Sequence, residues 1–225
     1  MKRVLIIAPH PDDEILGCGA TIAKHVQAGD EVTVVISTCA SIGAPELYTK
    51  EGTKKVRKEA LDAHQYLGVK ETIFLDFPAP ALNAFPEYKI SLSFSKIIDD
   101  IKPAFLYIPY HGDMHQDHKA IYRAALVSAR PKSGLSIQKI LCYETLSETE
   151  WAPLQEKGFV PNCFVDVSAT FHHKLAAMKF YSTQLKEPPH ARSLKTIEAL
   201  SVYRGATIGV NYAEAFMIER EIILQ

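Results

Sequence analysis

The sequence has no long hydrophobic run, no excess of charge of either sign and no CxxC motif. No apolar stretch approaches the ~20 residues that a helix needs to span a bilayer, and the apolar residues near the start are interrupted at His10 and Pro11. We therefore expect neither a membrane span nor an export signal. The formal net charge is −1, from 25 basic and 26 acidic residues, so nucleic acid and anionic lipid are not expected as partners.

The four cysteines are widely separated and lie among apolar or small neighbours. This distribution favours buried, reduced thiols over disulfides or a thiolate metal site. Together with the missing export signal, it predicts a cytoplasmic protein. The chain also lacks internal repeats, low-complexity tracts and any linker-like segment. We therefore predict a single domain over residues 1–225, a length that α/β folds commonly have.

What the sequence does contain is an alternation of β-branched or aromatic runs with helix-like stretches. Five runs are apolar on both faces, which is typical of a parallel sheet covered by helices on either side. They are RVLIIA (3–8), EVTVVIS (31–37), ETIFLDF (71–77), AFLYIPY (104–110) and KILCYE (139–144). The predicted fold class is α/β with a mostly parallel sheet.

Two clusters of polar side chains each follow one of these runs. The residues HPDDE (10–14) come after the first run, and HGDMHQDH (111–118) comes after the fourth. Ligands of open parallel sheets bind beyond the carboxyl ends of the strands. We therefore expect the two clusters to meet on the same rim of the sheet.

The spacing in the first cluster predicts that its two aspartates point in different directions. His10 and Asp13 can point toward one centre across a turn, whereas Asp12 lies roughly 100° away around a helix and faces elsewhere. Two aspartates at this place are also compatible with an acidic helix start, which the helix dipole favours. The neighbouring histidine is what points to a metal site.

The second cluster supplies two histidines on one side of a helix start. His115 and His118 are three residues apart, and Asp117 can orient a ring by accepting its second N–H. Two histidines and one carboxylate suit zinc and leave a position for water. The predicted metal ligands are His10, Asp13 and His118.

The remaining polar groups suggest hydrolysis of an amide or ester. Asp12 is predicted to be the base that takes a proton from a zinc-bound water as it attacks. His115 is predicted to stabilise the oxyanion and to protonate the leaving group.

A strand followed by PHPDDE (9–14), together with a downstream HxDH (115–118), resembles the PIG-L, or LmbE-like, family of metal-dependent de-N-acetylases. The resemblance continues through GCGATIAKHVQAGDEVTVV (17–35), VRKEALDAHQYLGV (56–69) and RGATIGVNYAEAF (204–216). It implies a Rossmann-like three-layer sandwich, with Zn²⁺ or another divalent metal such as Fe²⁺ as cofactor. It also implies removal of an N-acetyl group from an N-acetylglucosamine-type sugar or glycoconjugate, by a homo-oligomer that is a trimer or hexamer.

The same resemblance suggests further site residues. Arg57 becomes a candidate for binding the sugar, and Glu14 for supporting the site from behind. Arg192, in the proline-rich loop PPHARS, is a further candidate substrate contact, with a solvated turn as the alternative. The chain has Gln116 where many relatives have proline and Asp113 where some have an aromatic residue, and these departures affect the expected shape of the substrate pocket.

Two other functions are compatible with parts of the sequence. LGCGA (16–20) resembles the glycine loop of a methyltransferase or dinucleotide-binding enzyme, but it does not directly follow a strand. Gly17 and Gly19 also allow a helix to pack closely on the sheet. The second alternative is a non-catalytic, metal-bearing protein that binds a sugar.

The other histidines in helix-like stretches have no partner at a spacing that suggests a site. We interpret them as surface or cap residues. They are His25, His64, His172 and His173.

Overall fold

The computed structural model describes residues 1–132, 134, 136–153 and 158–223, and within these ranges a seven-stranded sheet lies between two layers of helices. The strands are β1 (Arg3–Ala8), β2 (Glu31–Cys39), β3 (Glu71–Pro78), β4 (Phe105–Pro109), β5 (Lys139–Tyr143), β6 (Cys163–Asp166) and β7 (Ala213–Glu221). The helices are α1 (Asp13–Gln27), α2 (Ala40–Gly43), α3 (Lys50–Leu67), α4 (Glu87–Ile101), α5 (Gln116–Ser128), α6 (Phe171–Phe180) and α7 (Leu194–Ile208).

The sheet is mostly parallel, as the sequence predicted. Its strand order is β3-β2-β1-β4-β5-β7-β6, and β7 pairs antiparallel with both β5 and β6. The chain begins at β1, proceeds outward through β2 and β3, and then returns to place β4 on the other side of β1. The crevice between β1 and β4 is therefore the topological switch point, where α/β sheets bind their ligands.

Alternate residues of β1 enter two different cores. Val4, Ile6 and Ala8 pack with apolar residues of α1, α3, α6 and α7. Leu5 and Ile7 pack on the opposite face with α4 and α5. Because both faces of the central strand are completely buried, the strand reads as a continuous apolar run, and its end is held rigidly between the two helical layers.

The glycines of LGCGA serve helix packing. A Cβ on Gly17 would lie 2.3 Å from Cδ2 of Tyr143 on β5, so glycine at this position lets α1 lie directly on the sheet. A Cβ on Gly19 would instead lie 3.0 Å from Cγ of Lys174 on α6. The packing of Gly17 follows the prediction, whereas Gly19 faces a helix and not the sheet.

The four cysteines are free thiols, as expected. Three of them are buried and Cys163 is partly exposed. None of the helices in the described part of the chain combines the length and the apolar character needed to cross a bilayer.

Candidate metal centre and active site

The two polar clusters meet at the rim above β1 and β4. These strands are hydrogen-bonded neighbours, with Ile6 opposite Tyr107, so the segments that follow them leave the sheet side by side. As a result the imidazole rings of His10 and His118 lie with their centroids 5.4 Å apart. Residues separated by more than a hundred positions are thus brought into one site.

Three side-chain atoms form a compact set beside this pair of rings. Asp13 Oδ2 lies 3.3 Å from His10 Nδ1 and 3.2 Å from His118 Nε2, and the ligand atoms of the three residues all lie within 4.8 Å of one another. Ligands held 2.0–2.2 Å from a tetrahedral zinc ion are separated by about 3.3 Å. The spacing therefore fits a zinc-sized ion.

Buried carboxylates orient both histidines of this set. Asp113 Oδ2 lies 2.8 Å from His118 Nδ1, and Asp117 Oδ2 lies 3.2 Å from His10 Nε2. Metal-binding histidines typically donate their second N–H in this way. His118 Nε2 is buried, makes no well-aligned hydrogen bond among the described residues and lies 3.2 Å from Asp13 Oδ2, so the nitrogen and the carboxylate face the same point.

The ligand atoms of a second group, His10, His115 and Asp117, also lie within 4.8 Å of one another. Asp117 Oδ2, however, faces His10 Nε2, the ring nitrogen opposite the one that lies beside Asp13. Asp117 Oδ1 accepts the backbone N–H of Leu82 at 3.2 Å, and His115 Nδ1 accepts the backbone N–H of Asp117 at 3.1 Å. Asp117 is thus placed to orient His10, and His10, Asp13 and His118 are the better candidate set for holding a metal ion.

The charged groups of the cluster shift one another's pKa values. Burial alone would raise the pKa of Asp13, but the neighbouring His118 and His10 hold it well below its usual range. Burial alone would lower the pKa of His10, yet its contacts with Asp117 and Asp13 raise it to about 9. Burial alone would also lower the pKa of His118, but its contacts with Asp13 and Asp113 raise it. Without a metal ion, the two histidine rings and the carboxylates around them therefore balance one another's charge.

Asp12 lies beside this set in an unusual backbone conformation. Its φ is 112°, in the left-handed region that non-glycine residues seldom adopt. Its N–H donates to Glu14 Oε2 at 3.1 Å, and its Oδ2 accepts from Arg192 Nη1 at 3.2 Å. Burial and the adjacent Asp13 raise the pKa of Asp12 against the opposing effect of Arg192. A carboxylate with a raised pKa suits proton transfer near neutral pH.

Glu14 supports Asp12 from inside the protein. Its carboxylate is completely buried and also accepts the Tyr181 hydroxyl. His64 Nε2 lies 3.1 Å from Glu14 Oε1, and the other ring nitrogen of His64 lies 2.8 Å from the Thr72 hydroxyl. His64 is only 2% exposed, so its interpretation as a surface or cap residue was wrong. The ring fills a buried polar position behind the site.

His115 is held as a hydrogen-bond donor. Because its Nδ1 accepts a backbone N–H at the start of α5, the neutral ring carries its hydrogen on Nε2. Burial and the charge of His10 lower the pKa of His115 to about 4, which keeps the ring neutral. Its own backbone N–H donates to Glu148 Oε2 at 3.1 Å, which fixes its position.

A cavity of ≈ 500 Å³ opens in front of these residues. Asp12, Asp13 and His115 line it, together with the two arginines expected to contact substrate, Arg57 and Arg192. Arg57 is bonded to the Asp76 carboxylate and lies over the Phe74 ring, with its guanidinium carbon 4.9 Å from the ring centroid. Both arginines are thus at the cavity, but both already have carboxylate partners.

Sequence reasoning missed four supporting residues: Asp113, Glu148, His64 and Tyr181. Asp113 had a visible signal, because it lies in the same HGDMHQDH stretch as the ligand that it orients. The other three are far along the chain from the groups that they contact, and no local spacing reveals them.

Comparisons with known proteins agree with this geometry. Residues 5–129 match the family described as PIG-L, GlcNAc-PI de-N-acetylase. The chain is 33% identical over 183 residues to the uncharacterized deacetylase YaiS of Escherichia coli strain K12, covering 79% of this chain and 89% of that protein. It is 27% identical over 235 residues to the diacetylchitobiose deacetylase of Thermococcus kodakarensis, covering 100% of this chain and 85% of that protein.

A solved structure shows the same architecture. The N,N'-diacetylchitobiose deacetylase from Pyrococcus horikoshii, complexed with its inhibitor MPG, superposes with a TM-score of 0.77 at 25% identity, covering 96% of this chain and 83% of that one. The fold, the paired histidine clusters and these sequence matches lead to one assignment. The chain belongs to the PIG-L family of de-N-acetylases.

Proposed function

We propose that the protein is a zinc-dependent deacetylase that removes the N-acetyl group from an N-acetylglucosamine-type sugar or glycoconjugate. The observation that carries this proposal is the convergence of His10 Nδ1, Asp13 Oδ2 and His118 Nε2 beside a buried Asp12. The names of the relatives support it, because two of them act on diacetylchitobiose.

The residues that would hold the ion are His10, Asp13 and His118, and their nitrogen and oxygen atoms suit zinc or ferrous iron. A divalent ion held by these residues would supply a Lewis acid that polarises the acetamide carbonyl and would make water a better nucleophile near neutral pH. Asp113 and Asp117 fix the ring orientations that present the two nitrogens.

The surrounding side chains have roles in each proton and charge movement. The oxygen of a water molecule attacks the acetamide carbon, and Asp12 accepts the proton that this water loses. The Nε2–H of His115 donates to the carbonyl oxygen as negative charge develops there, a stabilisation commonly worth about 3–4 kcal/mol. The C–N bond then breaks, and the nitrogen receives the proton that Asp12 took from the water. His115 was also predicted to protonate the leaving group, but a ring whose pKa is lowered to about 4 has no second proton to give near neutral pH. The products are acetate and a sugar amine.

Amine release from a panel of N-acetylglucosamine conjugates by the zinc-loaded protein tests the proposal. Asp12→Asn should lower kcat by about 10²–10⁴-fold while leaving the zinc content unchanged, because Asp12 is not among the three ligands. Asp99→Asn, on the exposed face of α4, is the matched control and should leave kcat unchanged. Full activity in Asp12→Asn would remove the base assignment.

The non-catalytic alternative makes a different prediction. A protein that held zinc and bound the acetylated sugars but released no amine from any of them would contradict the proposed activity. We further propose the trimeric or hexameric assembly implied by the family resemblance, and sedimentation of the zinc-loaded protein measures it directly.

A further inference from the structure

Each of the two arginines that line the cavity in the described part of the chain has a carboxylate partner, although the buried Nε of Arg192 has no hydrogen-bond partner of its own. Arg57 is bonded to Asp76, and Arg192 donates to Asp12 Oδ2 and to Gln184 Oε1, each at 3.2 Å. A phosphate or carboxylate on the substrate would therefore have to compete with a carboxylate that is already in place. This competition opposes anion binding more strongly at the Arg192–Asp12 pair, where the carboxylate is buried, than at the Arg57–Asp76 pair, where it is exposed.

The carboxylates of the cavity strengthen this selection. Asp12 and Glu148 line it and are not among the proposed metal ligands. An anion that approached Arg192 would come directly against Asp12, because the two side chains are in contact. It would also draw Arg192 away from the proposed base. Binding of an anionic group near the reacting acetamide is thus opposed by the residues that the reaction uses.

The outer wall of the cavity is apolar and open to solvent. Leu47 and Tyr48, in the turn between α2 and α3, line the cavity and are 71% and 49% exposed. Val56, Ala79 and Pro80 continue the same lining. Large apolar side chains at the mouth of a ligand cavity typically contact an apolar part of the ligand. The CH face of a sugar ring or an aryl ring fits this wall.

We propose that the group linked to the acetylated sugar is uncharged and presents an apolar ring face, so that the enzyme selects neutral conjugates over phosphorylated or carboxylated ones. This inference rests on the proposed deacetylase function and names its substrate class. Arg57, in this arrangement, is a packing residue of the cavity wall with its charge neutralised by Asp76.

Matched synthetic substrates test the charge selection. Phenyl N-acetyl-β-glucosaminide and its 4-carboxyphenyl analogue differ by one carboxylate. With zinc-loaded protein, kcat/KM for the phenyl compound should exceed that for the carboxyphenyl compound by at least about tenfold. N,N'-diacetylchitobiose, compared in the same assay, shows whether a second sugar ring or an aryl ring fits the wall better. Equal or better turnover of the carboxyphenyl compound would overturn the inference.

Asp76→Ala tests the same point by exposing the charge of Arg57. Asp76 is an exposed residue of β3 outside the proposed reaction, so turnover of the phenyl compound should not change. Turnover of the carboxyphenyl compound should rise severalfold, and the double variant Asp76→Ala/Arg57→Gln should cancel that gain. A gain that persisted in the double variant, or no gain at all, would contradict the pairing argument.

Tyr48→Ala tests the apolar wall. KM for the phenyl compound and for diacetylchitobiose should rise severalfold, whereas KM for N-acetylglucosamine itself should not change. Tyr88→Ala, which removes another exposed tyrosine, on α4 and outside the cavity lining, is the control. Equal effects on all three ligands would overturn the role of the wall.

Binding measured by ligand-observed NMR separates this inference from the proposed function. Selective binding of the neutral compounds without amine release would support the inference and contradict the deacetylase. Amine release with a preference for the carboxyphenyl compound would support the deacetylase function and contradict the inference. Failure to bind any of the compounds would overturn both.

Discussion

Helix α1 carries two buried polar clusters that differ in how completely their atoms are paired. Near the middle of the helix, Lys174 Nζ donates to the Leu16 carbonyl and to Glu214 Oε1, both at 2.7 Å, and the Glu214 carboxylate accepts two backbone N–H groups of the helix. At the start of the helix, by contrast, His118 Nε2 is buried beside Asp13 with no hydrogen-bond partner in the described structure.

The difference separates a structural cluster from a functional one. Buried polar groups in native proteins are nearly always hydrogen-bonded, so the Lys174 cluster is complete as it stands. The arrangement of His118 Nε2 beside Asp13 Oδ2, without a well-aligned hydrogen bond, is instead what the proposed metal site requires. The two clusters should therefore respond in opposite ways to zinc and to mutation.

The largest expected effect is that of Asp13→Ala, which removes the carboxylate shared by the two histidine ligands. Zinc at 100 times its Kd should add about 2.7 kcal/mol to the free energy of unfolding of the wild type. This corresponds to about 5–10 °C in Tm for a chain of this size. The variant should lose this zinc-dependent shift together with amine release, as measured by calorimetry with zinc and with a chelator.

Asp62→Ala, at a partly exposed position of α3, is the control and should keep the shift. A full shift in Asp13→Ala would mean that zinc binds elsewhere.

Lys174→Met should strongly destabilise the fold without altering the metal centre. The substitution leaves the Glu214 carboxylate buried without its counter-charge, which typically costs about 3–5 kcal/mol. Urea denaturation measures that loss, and the zinc content of the folded protein should be unchanged. Lys174→Met/Glu214→Gln should recover part of the stability, because it removes the buried charge. Loss of zinc at temperatures where the variant is folded would show that the two clusters are not independent.

Asp113→Ala should have a smaller effect, confined to the affinity for the metal. Removing a carboxylate that orients a histidine ligand typically weakens metal binding by about 10–100-fold. Asp113→Asn should retain more affinity, because its amide oxygen still accepts from His118 Nδ1. Competition with a chromophoric chelator measures both values. Unchanged affinity in Asp113→Ala would show that the packing of α5 alone positions His118.

The sequence predicted the features that depend on local patterns. The bounds of the first five strands agree with the structure within two residues at each end, because a buried parallel strand is visible as an apolar run. The convergence of the two polar clusters followed from their positions after β1 and β4. The placement of β7 between β5 and β6 could not be predicted, since it depends on how the last helices cover the sheet.

The supporting contacts of the site were hidden for a similar reason. His64 meets Glu14 across 50 residues of sequence, so its environment was visible only after folding. The neutralised state of Arg57 was equally hidden, because the residue that pairs with it, Asp76, lies 19 positions away on a different element. Ligand types and their spacing were local information, but the charge balance of the cavity was not.

The two halves of the site can meet only if β1 and β4 pair in the correct register during folding. Three residue pairs, Val4 with Phe105, Leu5 with Leu106 and Ile6 with Tyr107, join the strands that carry the two halves of the site. A slip of one residue would shift one half by about 3.3 Å along the strand, whereas metal–ligand distances tolerate only about 0.2 Å. A sheet with the wrong register could still be compact, but it would not bind zinc at this site. Tight zinc binding would therefore report that this strand pair has formed in its native register.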